Sequence, residues 1–352
     1  MRGHGGNIYR ASEETGIPVH QIIDFSASIN PLGVPDSVAE AIRENIPLLI
    51  HYPEPFAEGL AIHLGKHLGI DPQMILCGNG STELIYLVAR TLAPRRVLIP
   101  APTFSEYERA CRMLGETAYV HYILSRENSF DIDADGFISS MDGCDMAFLC
   151  NPNNPTGRLL NRDAVLAISR AAQQMSCYLV VDEAFIDFMP QHSVVHEVAK
   201  DSHLIVLRSL TKYYALSGLR LGYGVFPTSL VTRMKDHKEP WTINSLAQKA
   251  GIAALHDQAY QKRTMAVVEE EKRNLEAGLD SLKIDHIPSS ANYYLIRMDN
   301  AQKVIVSLRK KGILVRDCSN FTSLDGTYIR IAVRSREENA ALLKELARSC
   351  AE

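Results

Sequence analysis

The chain has 352 residues, more than one compact core usually holds, so two tightly associated domains are expected. It is 46% hydrophobic and 22% charged, and its formal net charge of -4 argues against a general nucleic-acid binder. No apolar run approaches a membrane span and the first residues lack a signal-peptide core, so a cytoplasmic protein with no membrane partner is expected.

The first thirty residues read as irregular. His4-Gly5-Gly6-Asn7 is glycine-rich, and Asp24-Phe25-Ser26-Ala27-Ser28-Ile29-Asn30-Pro31 is a short extended piece ending at a proline. Helices are expected over 35–44 and 56–68, with His51-Tyr52-Pro53-Glu54-Pro55 as loop between them. From Met74 the pattern alternates. Short apolar strands fall at 74–77, 96–100, 118–123, 146–150, 178–182, 204–207 and 221–226, with helices reaching to Leu92 and over 105–114 and 163–175. Nearly continuous apolar strands separated by helices mean an α/β fold with a mainly parallel sheet covered on both faces. The strand at 221–226 follows its predecessor without a helix, so it should run antiparallel. A long helical region over 244–281 leads to a smaller α+β unit, with strands at 293–297, 313–316 and 328–333 and helices at 301–310 and 337–348. The expected layout is an N-terminal arm (1–33), a large domain (34–243) and a small C-terminal domain (244–352). The seven cysteines, at 77, 111, 144, 150, 177, 318 and 350, form no CxxC pair and read as reduced, mostly buried thiols.

Ligands of such folds sit at the carboxyl ends of the strands, where the informative loops cluster here. In Ser209-Leu210-Thr211-Lys212, the lysine follows an apolar run, with two hydroxyls just before it and Arg220 eight positions on. A lysine that forms a Schiff base needs a dry site, and an arginine beside hydroxyls suits a phosphate dianion. Gly78-Asn79-Gly80-Ser81-Thr82-Glu83 joins a strand to a helix; it reads either as a phosphate-binding helix N-terminus or as a capping box on Ser81 or Thr82. Asn151-Pro152-Asn153-Asn154-Pro155-Thr156-Gly157 is a stiff turn that can aim one amide at a ligand, or simply a turn. Asp182 ends a buried strand, a costly place for a carboxylate without a partner; a ligand cation, a helix cap or a structural ion pair would each serve. Phe104 follows another strand end and suits stacking on a flat ring, though a core role is the ordinary one. Arg330 and Arg334 lie four apart, on one face if the strand is regular, and Arg316 ends the preceding strand. Together they suggest an anion site, with exposed edge charges as the alternative. His4, near a terminus, would ordinarily be solvated.

Asn154-Pro155-Thr156-Gly157, then Asp182, then Ser209-Leu210-Thr211-Lys212 with Arg220, in this order and spacing, resemble the fold-type I pyridoxal-phosphate (PLP) enzymes of the class I/II aminotransferase group. The match extends over nearly the whole chain. Within that group the chain resembles the histidinol-phosphate aminotransferase branch and, closer still, the threonine-phosphate decarboxylases of cobalamin biosynthesis. Features favouring the latter are His4-Gly5-Gly6-Asn7 with Asp24-Phe25-Ser26 and Asn30-Pro31-Leu32-Gly33, Phe185 where the aminotransferases carry tyrosine, and Arg334 where the histidinol-phosphate enzymes have glycine. The resemblance implies a large PLP-binding domain with a mainly parallel mixed sheet and a smaller α+β domain. It makes Lys212 the Schiff-base lysine, Asp182 the partner of the pyridinium nitrogen, Asn154 the ligand of the phenolic oxygen and Phe104 the stacking residue. Gly80, Ser81, Thr82, Ser209, Thr211 and Arg220 become the cofactor-phosphate cradle, and Tyr52 a residue reaching the cofactor phosphate of the neighbouring subunit in a homodimer. Arg330 would grip the substrate's acid groups, with Arg316, Arg334, Asn30, Asn154 and His4 as further substrate contacts. The implied reaction is decarboxylation of L-threonine O-3-phosphate to (R)-1-amino-2-propanol O-2-phosphate; the alternative is a histidinol-phosphate or related amino-acid aminotransferase.

Overall fold

The computed structural model describes residues 4–351, with side chains through residue 349. Its centre is a seven-stranded sheet in the order Ile75–Asn79, Leu221–Val225, Leu204–Ser209, Tyr178–Asp182, Met146–Cys150, Arg96–Ala101, Ala118–Ile123. All neighbours are parallel except around Leu221–Val225, which is antiparallel on both sides, as its helix-free connection implies. The inner strands are largely apolar because alternate residues feed two separate cores. Leu149, Val181 and Val206 pack on one face with Leu60, Leu64, Val165, Ile168, Ala247 and Ala250 of the helices Glu58–Leu68, Arg162–Gln174 and Ser245–His256. Phe148, Val180, Ile205 and Leu207 pack on the other with Leu84, Val88, Ala110, Leu230 and Met234 of Gly80–Leu92, Glu106–Arg112 and Thr228–His237. Each such side chain, fully buried, contributes about 1.5–3 kcal/mol of hydrophobic stabilisation.

The second unit is a four-stranded antiparallel sheet, Arg316–Asp317, Tyr328–Ala332, Tyr293–Arg297, Asp285–His286. The helices Gln258–Ser281, Ala301–Lys310 and Arg336–Ala351 bury Leu275, Leu279, Val304, Leu308, Leu342 and Leu346 in its core. The chain start is stitched to this unit: Ile23–Asp24 pairs in parallel with Ile313–Leu314, and Ala332 N–H donates to Phe25 carbonyl at 2.9 Å.

The structure corrects several expectations. The first thirty residues contain a helix, Ile8–Thr15, capped by the Asn7 side chain and closed by Gly16 at φ 73°. The region 244–281 is two helices, broken at Asp257, whose carboxylate caps the second by accepting from Tyr260 N–H. The stretch 313–316 is divided between two sheets. The strand carrying Arg330 ends at Ala332, so Arg334 does not continue its face. Six cysteines are buried and free, and Cys350 lies outside the described side chains. Among the described residues no helix is long and apolar enough to cross a membrane.

Candidate active site

The carboxyl ends of the central strands open onto a cavity of about 440 Å³, a volume suited to a small molecule. Lys212 lies in the turn after Leu204–Ser209, half-buried, its open surface lining the cavity. Enclosure by the surrounding protein, then the charges of Arg330 and Arg220, push its ammonium down to about 8. The turn is anchored from behind. Asn30 N–H donates to Lys212 carbonyl at 3.1 Å, and the Asn30 amide donates to Tyr213 carbonyl and Thr264 Oγ1, each at 2.7 Å.

At one end of the cavity the helix Gly80–Leu92 begins without a side-chain cap on its first turn. The capping alternative therefore does not hold for Ser81 or Thr82. Glu83 instead reaches back to Asn79 N–H at 2.5 Å. Ser81 and Thr82 line the cavity, as do Ser209 and Thr211, whose hydroxyls lie 2.6 Å apart, and Arg220. Gly80 does not line it but backs Arg220. It sits at φ +71°, and an added Cβ would lie 2.6 Å from Arg220 Nη2. Open helix-terminal N–H groups, four hydroxyls and a guanidinium make a set of donors suited to an anion.

Asp182 lies deeper, 3% exposed. Its Oδ2 accepts from Tyr107 O–H at 2.8 Å and its Oδ1 from Ala184 N–H at 3.0 Å. Burial pushes it up to about 6 despite those bonds. A cation brought against it from the cavity would keep it ionised. Its neighbour Glu183 turns the other way, to Arg208 at 3.0 Å and Ser193 at 2.6 Å, and is structural.

The asparagine turn aims one amide. Asn151 is spent on both backbone groups of Leu160, and Asn153 on Pro102 carbonyl, Thr103 and Thr156. Only Asn154 of the three lines the cavity. Its Oδ1 accepts from Arg330 Nη1. Phe104 forms a further wall, edge-on to Tyr107 at 5.6 Å.

The small domain supplies Arg316 and Arg330. They are direct partners in an antiparallel pair, so both point to one face, and both line the cavity. Arg330 lies 4.9 Å over the Tyr293 ring and donates to Ser26 carbonyl at 3.0 Å. Arg316 lies 5.0 Å over Phe321 and donates to Asn320 Oδ1 at 2.8 Å. Burial, and the Arg330 charge with it, pull the Arg316 guanidinium below its ordinary range. Like charges placed opposite each other cost stability, which an anion between them would offset.

His4 also lines this cavity, its Nε2 2.8 Å from Glu106 Oε1. Three expected site residues stand apart. Arg334 pairs with Glu338 at 3.0 Å and is not in the lining. Asn30, 1% exposed, supports the Lys212 turn rather than facing the cavity. Tyr52 is 84% exposed against Trp241 and does not reach the cavity of its own chain. Sequence reasoning missed Tyr107, Glu106, Arg109, Asn320 and Phe321, all of which line the site. Glu106 and Tyr107 directly follow the Phe104-Ser105 turn, which was a usable signal; Asn320 and Phe321 lie in a loop with none.

The aminotransferase class I and II family model matches residues 20–346. The chain is 39% identical over 351 residues to threonine-phosphate decarboxylase of Salmonella typhimurium, covering 97% of this chain and 95% of that protein. Among solved structures it is similar to L-threonine-O-3-phosphate decarboxylase from Porphyromonas gingivalis, with a TM-score of 0.83 and 29% identity over 94% of this chain and 100% of that one. It is also similar to histidinol-phosphate aminotransferase from Clostridium acetobutylicum, with a TM-score of 0.88 and 30% identity over 94% and 99% of the two chains.

Proposed function

The chain belongs to the class I and II aminotransferase family, and from that premise we propose that it is a pyridoxal-phosphate-dependent decarboxylase of L-threonine O-3-phosphate. The observation that carries the substrate reading is the facing pair Arg316 and Arg330: two guanidiniums on one face suit a small amino acid bearing a phosphate as well as a carboxylate.

The residues present fit the cofactor. Ser81, Thr82, Ser209, Thr211 and Arg220, backed by Gly80, would hold its phosphate; Lys212 would bond its aldehyde carbon. Asp182, a buried carboxylate with only neutral hydrogen-bond donors, would pair with its ring nitrogen. Phe104 would stack on the ring and Asn154 would meet the phenolic oxygen, alone there because Phe185 has no hydroxyl. Bound in this way, pyridoxal phosphate supplies an electron-accepting ring that weakens whichever Cα bond of the amino acid stands perpendicular to it.

The chain's own groups decide which bond that is. Arg316 and Arg330 anchor the phosphate and so turn the substrate's carboxylate out of plane; the Cα–carboxylate bond breaks and CO₂ leaves. Lys212 Nζ, its pKa lowered to about 8, would deliver one proton to Cα. The product is (R)-1-amino-2-propanol O-2-phosphate, a building block for cobalamin. Six buried, free thiols support the cytoplasmic reading. Incubation with L-threonine O-3-phosphate is expected to give this amine and CO₂ without a keto-acid acceptor. Turnover of histidinol phosphate that requires 2-oxoglutarate, with none of threonine phosphate, would reverse the assignment to an aminotransferase.

Asp182→Asn tests the buried carboxylate. Its folded pKa of about 6 lies above its unfolded value, so the folded chain binds that proton more tightly. Cofactor-free protein therefore loses stability as pH rises from about 4 to about 6 and does not regain it above. The cofactor-free Asn variant is expected to be more stable than cofactor-free wild type above about pH 7, on the order of 1–3 kcal/mol, and level with it near pH 4. Thermal unfolding across that range is the check, and the cofactor-loaded variant should lose activity.

We also infer a homodimer with shared sites. Tyr52, Ile50, Leu49, Ile46 and Trp241 are all about half exposed or more, an apolar surface that a second copy would cover while bringing Tyr52 to the partner's cofactor phosphate. Light scattering is expected to give twice the chain mass. A monomer that retained full activity would remove Tyr52 from the site.

A further inference from the structure

Two carboxylates line the cavity among the described residues, Asp182 and Glu106. A second carboxylate is out of place in a site built for an anion unless it works on a cation. Glu106 is 6% exposed, and its oxygens are fully directed. Oε2 accepts from Tyr86 O–H at 2.6 Å, Oε1 lies 2.8 Å from His4 Nε2, and Arg109 Nη1 lies 3.6 Å from Oε1. Burial pushes this carboxyl up, but the bonds from Tyr86 and His4, with the charges of His4 and Arg109, outweigh it and hold it below the usual range.

The arm that carries His4 is tied to the other side of the site. Gly6 N–H donates to Ser26 Oγ at 2.7 Å, and a Cβ on Gly5 would lie 2.2 Å from Ser26 carbonyl oxygen, so only glycine lets the arm lie this close. That same carbonyl accepts from Arg330 at 3.0 Å. Ser26 is itself fixed by Asp24, whose Oδ1 accepts from its N–H at 2.8 Å and its O–H at 2.5 Å. The His4 ring lies 5.8 Å from Phe104. The arm thus bridges the Phe104–Glu106 wall and the arginine that faces the substrate, 102 residues from its contact in sequence.

We propose that Glu106 is a positioning residue that docks the N-terminal arm across the cavity by gripping His4, and so holds the His4 imidazole against the phosphate of the substrate. With Nε2 engaged by Glu106, Nδ1 is the nitrogen left for that phosphate. The proposal rests on the phospho-amino-acid reading given above, and adds the device that assembles the third side of the phosphate site.

The test is a set of variants in the holoenzyme. Glu106→Gln keeps the shape and removes the charge. The expected loss falls on KM for L-threonine O-3-phosphate, which rises about ten-fold or more, and far less on kcat. His4→Ala should do the same, and combining the two should add no more than about two-fold, because one interaction is removed twice. Hydrogen exchange of the peptide spanning residues 4–7, measured without substrate, should be faster in Glu106→Gln than in wild type. An unchanged KM, a loss confined to kcat, or losses that multiply in the double variant would overturn the proposal. Should Glu106→Gln fail to fold, Tyr86→Phe and His4→Ala are read in the same way, with the same KM-only loss expected. Wild-type protein inert towards threonine phosphate counts against the substrate reading; arm protection that still depends on Glu106 would then support the docking by itself.

Discussion

Replacing Lys212 by alanine lowers turnover of threonine phosphate by about 10³-fold or more and removes the near-visible absorbance of the lysine–cofactor bond. The size of the effect follows from two duties that meet on one Nζ. In the proposed reaction it would bond the cofactor and carry the proton that Cα receives. No other side chain duplicates either duty: the remaining basic side chains of the lining are the guanidiniums of Arg109, Arg220, Arg316 and Arg330, and the His4 imidazole, which is engaged by Glu106. The depressed lysine pKa of about 8 also sets a pH course. Combination of cofactor-free wild type with pyridoxal phosphate should accelerate as pH rises through about 8, where the free amine becomes the major form. Absorbance spectra and steady-state rates check both statements. An alanine variant that keeps the absorbance and the rate would remove Lys212 from the chemistry.

The second large effect is expected at Arg330. Substitution by alanine should lower kcat/KM for threonine phosphate by about 10²–10³-fold, the range expected when one partner of a buried, hydrogen-bonded charge pair is truncated. The guanidinium lies over the Tyr293 ring and is bonded to Ser26 and Asn154, so its loss also releases the Asn154 amide and the arm held at Ser26. Lysine at this position should recover only part of the loss, since an ammonium cannot keep both directed contacts and present a second edge to an anion. Arg316→Ala should cost less, and the double variant should fall short of the product of the two, because the residues face each other across one strand pair. Steady-state kinetics with threonine phosphate as the varied substrate decide it; wild-type kcat/KM in Arg330→Ala would contradict the assignment.

Much of this was legible before any coordinates. The inner strands of the large sheet could be read because their apolar runs feed two cores, a pattern that few solvent-facing segments imitate; the edge strand Ala118–Ile123 carries His121 and is only partly covered. Lys212, Asp182 and Asn154 could be singled out because each lies at or just after the carboxyl end of an apolar strand, and the structure places all three on the cavity wall. The helix Ile8–Thr15 escaped because only Ala11 is buried on it; its cap residues Asn7 and Gly16 were visible, but no apolar stripe joined them. Arg334 was drawn in by a periodicity that outran its strand: Val333 N–H still bonds Asn292, its next partner in register, but Arg334 turns away to Glu338. Asn30 was named only as an implied substrate contact; in the structure its amide holds the lysine turn from behind. Contacts such as His4 with Glu106 leave no local trace, because tertiary closure alone brings them together.

The claim at the centre of this account is that the site breaks the bond from Cα to the carboxylate and leaves the Cα–H bond intact. Threonine phosphate carrying a labelled carboxyl carbon and deuterium at Cα, turned over in ordinary water, reads both bonds at once by mass spectrometry. The expected result is labelled CO₂ released in equal amount with an aminopropanol phosphate that keeps its deuterium and has gained one solvent hydrogen. Washout of the deuterium into water, with the labelled carboxylate still attached to the product, would contradict it.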